Sequence, residues 1–216
     1  YFEVTQLSGD DAARNEMYQQ NAARSRAEVS FADYGEYLQS LGMQAEIQAF
    51  APMYLSRIAQ LTNKSNQFNL TTRRFTQAEI EAVAQDDRYI TLYGKLVDRF
   101  GDNGVVSVAI GEILQKPEGS LCDITLWLMS CRVLKRDMEF AMMDELVRQC
   151  RMRGITRVVG HYYPTAKNAM VREFYAVQGF TLEREDEHGN RTYILDNLPD
   201  YTPRNRYIAV NEEGKQ

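Results

Sequence analysis

The sequence predicts an α/β (α+β) domain: a mixed, mostly antiparallel central sheet flanked by helices, with a helical and strand extension at the N-terminus. Three observations carry that expectation. Between Tyr89 and Cys131, three apolar strands follow one another through short polar turns, a pattern that pairs antiparallel. Across Arg136 to Arg153, a helix joins two strands, and such a step makes a parallel pair through a right-handed crossover. The 216 residues are 44% hydrophobic and 25% charged, enough apolar material for one domain with an appendage or for one large domain.

Residues Tyr1 to Thr5 read as a short strand. Ser8, Asp10 and Asp11 supply helix-start chemistry for a polar helix ending near Arg26. A second helix runs from about Asp33 to Leu41 and stops at Gly42, a residue suited to the left-handed cap. Met43 to Ala49 alternates apolar and polar, as a half-buried strand does. Pro52 opens a helix that places Tyr54, Leu55, Ile58 and Leu61 on one face. Asn63 to Asn69 is loop, and Leu70 to Phe75 reads as a strand. Thr76 and Glu79 form a capping box for a helix to about Gln85. The three hairpin strands are Tyr89 to Phe100, Val105 to Leu114 and Cys122 to Cys131. Turns at Asp102-Asn103-Gly104 and Lys116 to Ser120 separate them. After the crossover helix come a strand, Ile155 to Tyr163, and a helix from Thr165 to near Gly179. Phe180 to Asp186 and Arg191 to Asp196 make a hairpin around His188-Gly189-Asn190. The tail after Pro199 is irregular, with Tyr201, Tyr207 and Ile208 to pack it down.

Several classes of function fall away. A net charge of −5 and a pI near 5.2 argue against nucleic-acid binding. No apolar run reaches the length of a membrane span. Two histidines rule out a His-rich metal site, and Cys122, Cys131 and Cys150 fit no zinc or redox spacing. Free thiols suit a reducing cytoplasm.

The element order, closing on Asn168 and then Phe174-Tyr175-Ala176-Val177-Gln178-Gly179-Phe180, resembles the GNAT acyltransferase superfamily. A narrower match lies in Gln67-Phe68-Asn69-Leu70-Thr71, Ser130-Cys131-Arg132-Val133-Leu134 and Pro164-Thr165-Ala166-Lys167-Asn168. These stretches resemble the C-terminal half of FkbH-like proteins. Met17-Tyr18 and Tyr37 to Met43 fit the segment that links that family's two halves. The resemblance implies residues 1–42 as a helical linker trailing a haloacid-dehalogenase-like domain, and residues 43–216 as the acyltransferase-fold domain. The phosphatase-type D-x-D-x-T/V motif does not occur here, so phosphoryl or glyceryl-transfer chemistry would lie in that other domain.

The family geometry implies a site. Strands carrying Trp127 and Val159 run side by side and then diverge, leaving a slot for pantetheine. The arm would belong to coenzyme A or to phosphopantetheine on an acyl carrier protein, and the loop Cys131, Arg132, Val133, Lys135, Arg136, Asp137 would cradle its phosphate. Lys135 and Asp137 stand where the family has glycines, which crowds a pyrophosphate; a carrier arm with one phosphate asks less of this loop. Arg132, Lys135, Arg136, Arg148, Arg151, Arg153 and Arg157 make a basic stretch that either steers an acidic carrier or is a solvated helix face. Tyr175 matches the position that protonates a leaving thiolate, or packs at a helix–sheet seam. Asn168 bonds the arm or organises the helix start. His161 and Glu112 are the candidate bases, each with a structural alternative. Cys131 reads as a buried inert thiol before a nucleophile. No metal is implied. Three functions remain: first an acyltransferase for a short acyl or glyceryl thioester in polyketide-type biosynthesis, next a non-catalytic carrier-docking module, and third a purely structural dimerisation domain.

Overall fold

The structure, a computed structural model, describes residues 9–211, with side chains from residue 12 onward. The strand expected at Tyr1–Thr5 and the residue Ser8 lie outside this range, as do the side chains of Asp10 and Asp11. Helix α1 spans Gly9–Val29 and α2 Tyr34–Ser40. Asp33 caps α2 by accepting from the Glu36 N–H at 2.9 Å, and Gly42 ends the segment at φ +57°. Strand β1 is Gln44–Gln48. A 3-10 turn at Pro52–Tyr54 leads into α3, Leu55–Lys64. The expected capping box opens α4, Gln77–Ala84.

The sheet continues with β2 (Tyr89–Asp98), β3 (Gly101–Lys116) and β4 (Gly119–Met129). Helix α5 (Met138–Met152) crosses to β5 (Arg157–Tyr162). Then come α6 (Phe174–Val177), β6 (Thr181–Glu185), β7 (Arg191–Leu195) and β8 (Ala209–Val210). Among the described residues there are eight strands, in the order β6-β7-β5-β4-β3-β2-β1-β8. Only β4–β5 and β1–β8 are parallel. The alternating strands bury both faces. Cys122, Ile124, Trp127 and Met129 pack under α5 and α6. Leu126, Leu128, Val108 and Ile110 pack against Ile58 and Leu61 of α3 and Ile80 of α4.

Four expectations need correction. The hairpin between β2 and β3 turns at Arg99-Phe100, not at Asp102-Asn103-Gly104. Asp102 instead accepts from the Gly104 N–H at 2.7 Å, and the pairing jumps from Val97–Asp102 to Lys95–Val105. The turn-forming residues thus build a β-bulge within the strand. Leu70–Phe75 is not a strand; its neighbourhood makes one isolated bridge, Asn69 to Leu128. The helix from Thr165 is broken into a 3-10 turn at Ala169–Val171 and the single turn of α6. The tail gains the short strand β8, which pairs with β1.

Among the described residues before β1, several side chains pack into the body of the sheet domain. Tyr37, Leu38 and Leu41 are buried in the same core as Trp127. Arg24 of α1 grips Asp98 of β2 through two bonds of 2.8 Å, and Arg136, from the loop before α5, adds a third at 3.0 Å. Asp98's side chain is fully buried. Among the described residues, no helix is long and apolar enough to cross a membrane.

Candidate functional site

Strands β4 and β5 do part. Their pairing runs from Leu121–Arg157 to Ile124–Gly160 and stops there. The cause is a bulge in β4: Ile110 faces Leu126 and Gly111 faces Ile124, so Thr125 is an extra residue. The insertion reverses the alternation, which is why Ile124 and Trp127 share one core while Leu126 enters the other.

The opening is not an empty slot. Residues 68–71 lie in it, between the two arms of the fork. On the β4 side, the Met129 N–H donates to the Phe68 carbonyl at 3.0 Å and the Leu70 N–H donates to the Trp127 carbonyl at 3.0 Å. The Thr71 hydroxyl donates to the Thr125 carbonyl at 3.0 Å. On the β5 side, the Tyr163 N–H donates to the Leu70 carbonyl at 2.9 Å. Asn168 completes the clamp: its Nδ2 donates to the Asn69 and Tyr163 carbonyls at 3.0 and 2.9 Å, and its Oδ1 accepts from the Thr165 N–H at 2.7 Å. Phe68 meets Phe174 edge-on, with ring centroids 5.7 Å apart. Phe68, Asn69 and Leu70 are all buried. The chain's own segment therefore takes the backbone groups that an extended arm would use. The expectation of an open slot is corrected on this point, and Asn168 holds the segment in place.

The loop after β4 keeps a glycine-like backbone without glycines. Lys135 and Asp137 both sit at φ +63°, the left-handed region that ordinary side chains avoid. Arg136 turns inward to Asp98 and to the Arg132 carbonyl, the latter at 2.7 Å. Val133 is buried core, whereas Cys131 is exposed, contrary to the buried thiol expected. Beside the start of α5 lies a cleft of about 490 Å³ lined by Asp137, Phe140, Val177, Arg204, Arg206 and Tyr207. Burial raises the Asp137 carboxyl above its usual range, against the pull of Arg206. A carboxylate at this point opposes a pyrophosphate. Asp144 of α5 anchors the tail that walls the cleft, accepting from the Tyr201 hydroxyl at 2.6 Å and the Asn205 N–H at 2.8 Å.

Glu139, in the first turn of α5, has a buried Oε2 without a hydrogen-bond partner among the described residues, and burial pushes its carboxyl up to about 7. A carboxyl whose pKa rises on folding holds its proton in the native state. Its stabilisation is full below the unfolded value and is lost as the pH climbs through 7. Glu139→Gln should remove that loss, making the variant more stable than wild type at pH 8 by on the order of 2 kcal/mol. Urea denaturation at pH 5 and pH 8 checks this: an unchanged pH slope counts against it.

Tyr175 is wholly buried. Its ring lies over Gly160, where a Cβ would come within 2.3 Å of it, and packs on Phe174, Phe180 and Tyr193. Burial holds its phenol far above the ordinary value, and among the described residues its hydroxyl has no hydrogen-bond partner of normal geometry. Cys122, Ile124, Val158 and Tyr162 enter the α5-side core, so Asp123 and His161 project from the opposite face. There His161 Nε2 meets Asp123 Oδ1 at 2.6 Å, with the two side chains 20% and 26% exposed. The His161 ring stacks on Tyr163, and Glu112 sits across from Asp123 on β3. Asp123 was not singled out from the sequence; an acid in mid-strand carries no motif. Among the described residues, no group of His, Cys, Asp and Glu could hold a metal ion.

The sequence matches no family model and no curated protein. Solved structures do match. An acetyltransferase of the GNAT family from Streptococcus pneumoniae aligns with a TM-score of 0.56 at 15% identity, over 71% of this chain and 99% of that one. The chain has the GNAT fold. Naa50 of Arabidopsis thaliana, solved in complex with the bisubstrate analogue CoA-Ac-MVNAL, gives 0.53 at 10% identity, over 71% and 99%. The GNAT domain of S. lividans PAT gives 0.52 at 14% identity, over 69% and 89%. At such identities the likeness is one of fold. Within that GNAT fold, the chain's own residues 68–71 fill the fork between β4 and β5.

Proposed function

We propose that this GNAT-fold domain belongs to an FkbH-like protein and docks an acyl carrier protein, presenting its pantetheine arm to a haloacid-dehalogenase-like domain of the same polypeptide. The observation that carries this reading is the fork bridged by residues 68–71 on both sides. An arm cannot lie in that fork while the segment holds it. The carboxylate of Asp137 at the start of α5 further favours a ligand with one phosphate over coenzyme A. In polyketide-type biosynthesis, a short acyl or glyceryl thioester on the carrier would be the cargo.

Titration calorimetry with holo acyl carrier protein and with coenzyme A tests this, alongside turnover of acetyl coenzyme A over a panel of amines. Micromolar carrier binding without turnover is expected. Efficient turnover would overturn the docking reading. It would support a second one, acyl transfer with His161 as base, which the 2.6 Å pair with Asp123 favours. In that case Asp123→Asn should lower turnover and shift its pH profile.

A further inference from the structure

The charge of this protein is unevenly placed. All 30 of its acidic residues lie outside residues 47–78, 124–136 and 146–172, while the whole chain carries a net −5. The fold brings parts of these three stretches together at the fork. There the Leu70 N–H donates to the Trp127 carbonyl at 3.0 Å, and the Tyr163 N–H donates to the Leu70 carbonyl at 2.9 Å. One end of an acidic domain is thereby basic.

The cations of these stretches are of two kinds. Arg136, Arg148 and Arg157 are neutralised by Asp98, Glu145 and Asp196. Lys64, Arg73, Arg74 and Lys167 are exposed, and none of them forms an ion pair among the described residues. Lys64 closes α3, and Arg74 donates to the Thr62 and Ser65 carbonyls at the same helix end, which offers only a partial negative charge. Arg73 lies over the Phe75 ring, 4.6 Å from its centroid. Lys167 lies in the loop that Asn168 ties to the Asn69 carbonyl at 3.0 Å. The same segment leaves Tyr163 and Met170 43% and 55% exposed. Glu79 and Asp123 bound two of the acid-free stretches, and their carboxylates are engaged, by the Thr76 N–H at 2.7 Å and by His161 at 2.6 Å.

Exposed arginine, tyrosine and methionine are residue types enriched where proteins meet. A nucleic acid fits this end poorly, because a long polyanion would run onto the acidic remainder of the domain. A small acidic protein that touches this end alone meets complementary charge. We propose that the fork end, with Lys64, Arg73, Arg74 and Lys167 around residues 68–71, is the docking surface for an acidic partner protein. For the partner's identity the proposal rests on the docking reading: it is the acyl carrier protein, held by its acidic protein surface and not through its arm.

The full chain, the double variant Arg73→Glu with Lys167→Glu, its neutral counterpart with Gln at both positions, and Arg151→Glu in the last turn of α5 are titrated with apo and holo carrier. Association rates are followed by stopped flow. The double reversal should weaken both carriers about tenfold, chiefly through slower association, and the neutral pair should lose less. Arg151→Glu should bind like wild type, and added salt should weaken the wild type toward the double reversal. Unchanged binding by the double reversal, or an equal loss in Arg151→Glu, would overturn the proposal and leave the docking reading standing. If neither carrier binds the wild type, the docking reading fails, and a poly-glutamate peptide followed by amide NMR decides the surface. Shifts at Lys64, Arg73 and Lys167 without shifts at Arg151 support it; unmoved amides overturn it.

Discussion

Replacing Asp98 by alanine should cost about 3–5 kcal/mol, the largest loss expected from any single change outside the apolar core. Asp98 accepts three bonds of 2.8 to 3.0 Å from Arg24 and Arg136, and its Oδ1 also takes the Phe100 N–H at 2.9 Å. Both arginines are nine-tenths buried or more. Without the carboxylate they become two unpaired buried cations, and the tie between α1, β2 and the loop before α5 is lost. Chemical denaturation measures the change. A companion variant, Arg24→Met with Asp98→Leu and Arg136→Met, separates the role of charge from that of shape. It should retain far more stability than Asp98→Ala, because no ion is left stranded. A loss under about 1 kcal/mol for Asp98→Ala would mean that water reaches these groups.

Leu70→Ala should lower stability by about 2–5 kcal/mol and loosen the fork as well. Leu70 is fully buried, and its N–H and carbonyl bond the two separate strands. Removing the side chain takes away the packing that holds the segment while leaving its backbone groups intact. Hydrogen exchange gives the second readout. In the wild type, the amides of Leu70, Met129 and Tyr163 should be protected like those of the sheet; in the variant, these three should speed up ahead of β2 and β3. Uniform acceleration across the sheet would show that the segment does not open separately.

The sheet was readable in the sequence because its signals are local. Alternation gave β1, the capping box gave the start of α4, and the strand–helix–strand step gave the parallel pair that forks. The failures are places where tertiary partners decide. Leu70 to Phe75 carries a strand-like pattern, yet its neighbours are the ends of two diverging strands, so a few bonds form and no ladder does. Asp102-Asn103-Gly104 has turn chemistry that the fold uses for a bulge. Of the site residues, Asn168 and Arg136 were found by motif, but their partners, Asn69 and Asp98, lie 99 and 38 positions away and left no trace in spacing. Asp123 belongs to no motif, and only the folded chain reveals its partner, His161.

The margins of the sheet carry one more consequence. One border strand, β6, is exposed throughout and reads Thr-Leu-Glu-Arg-Glu; the other, β8, is two residues long. Mixed charge at one border and brevity at the other deny a second chain the flat template that amyloid-like stacking needs. Self-association by sheet extension is thereby disfavoured, and assembly with other molecules falls to the domain's faces.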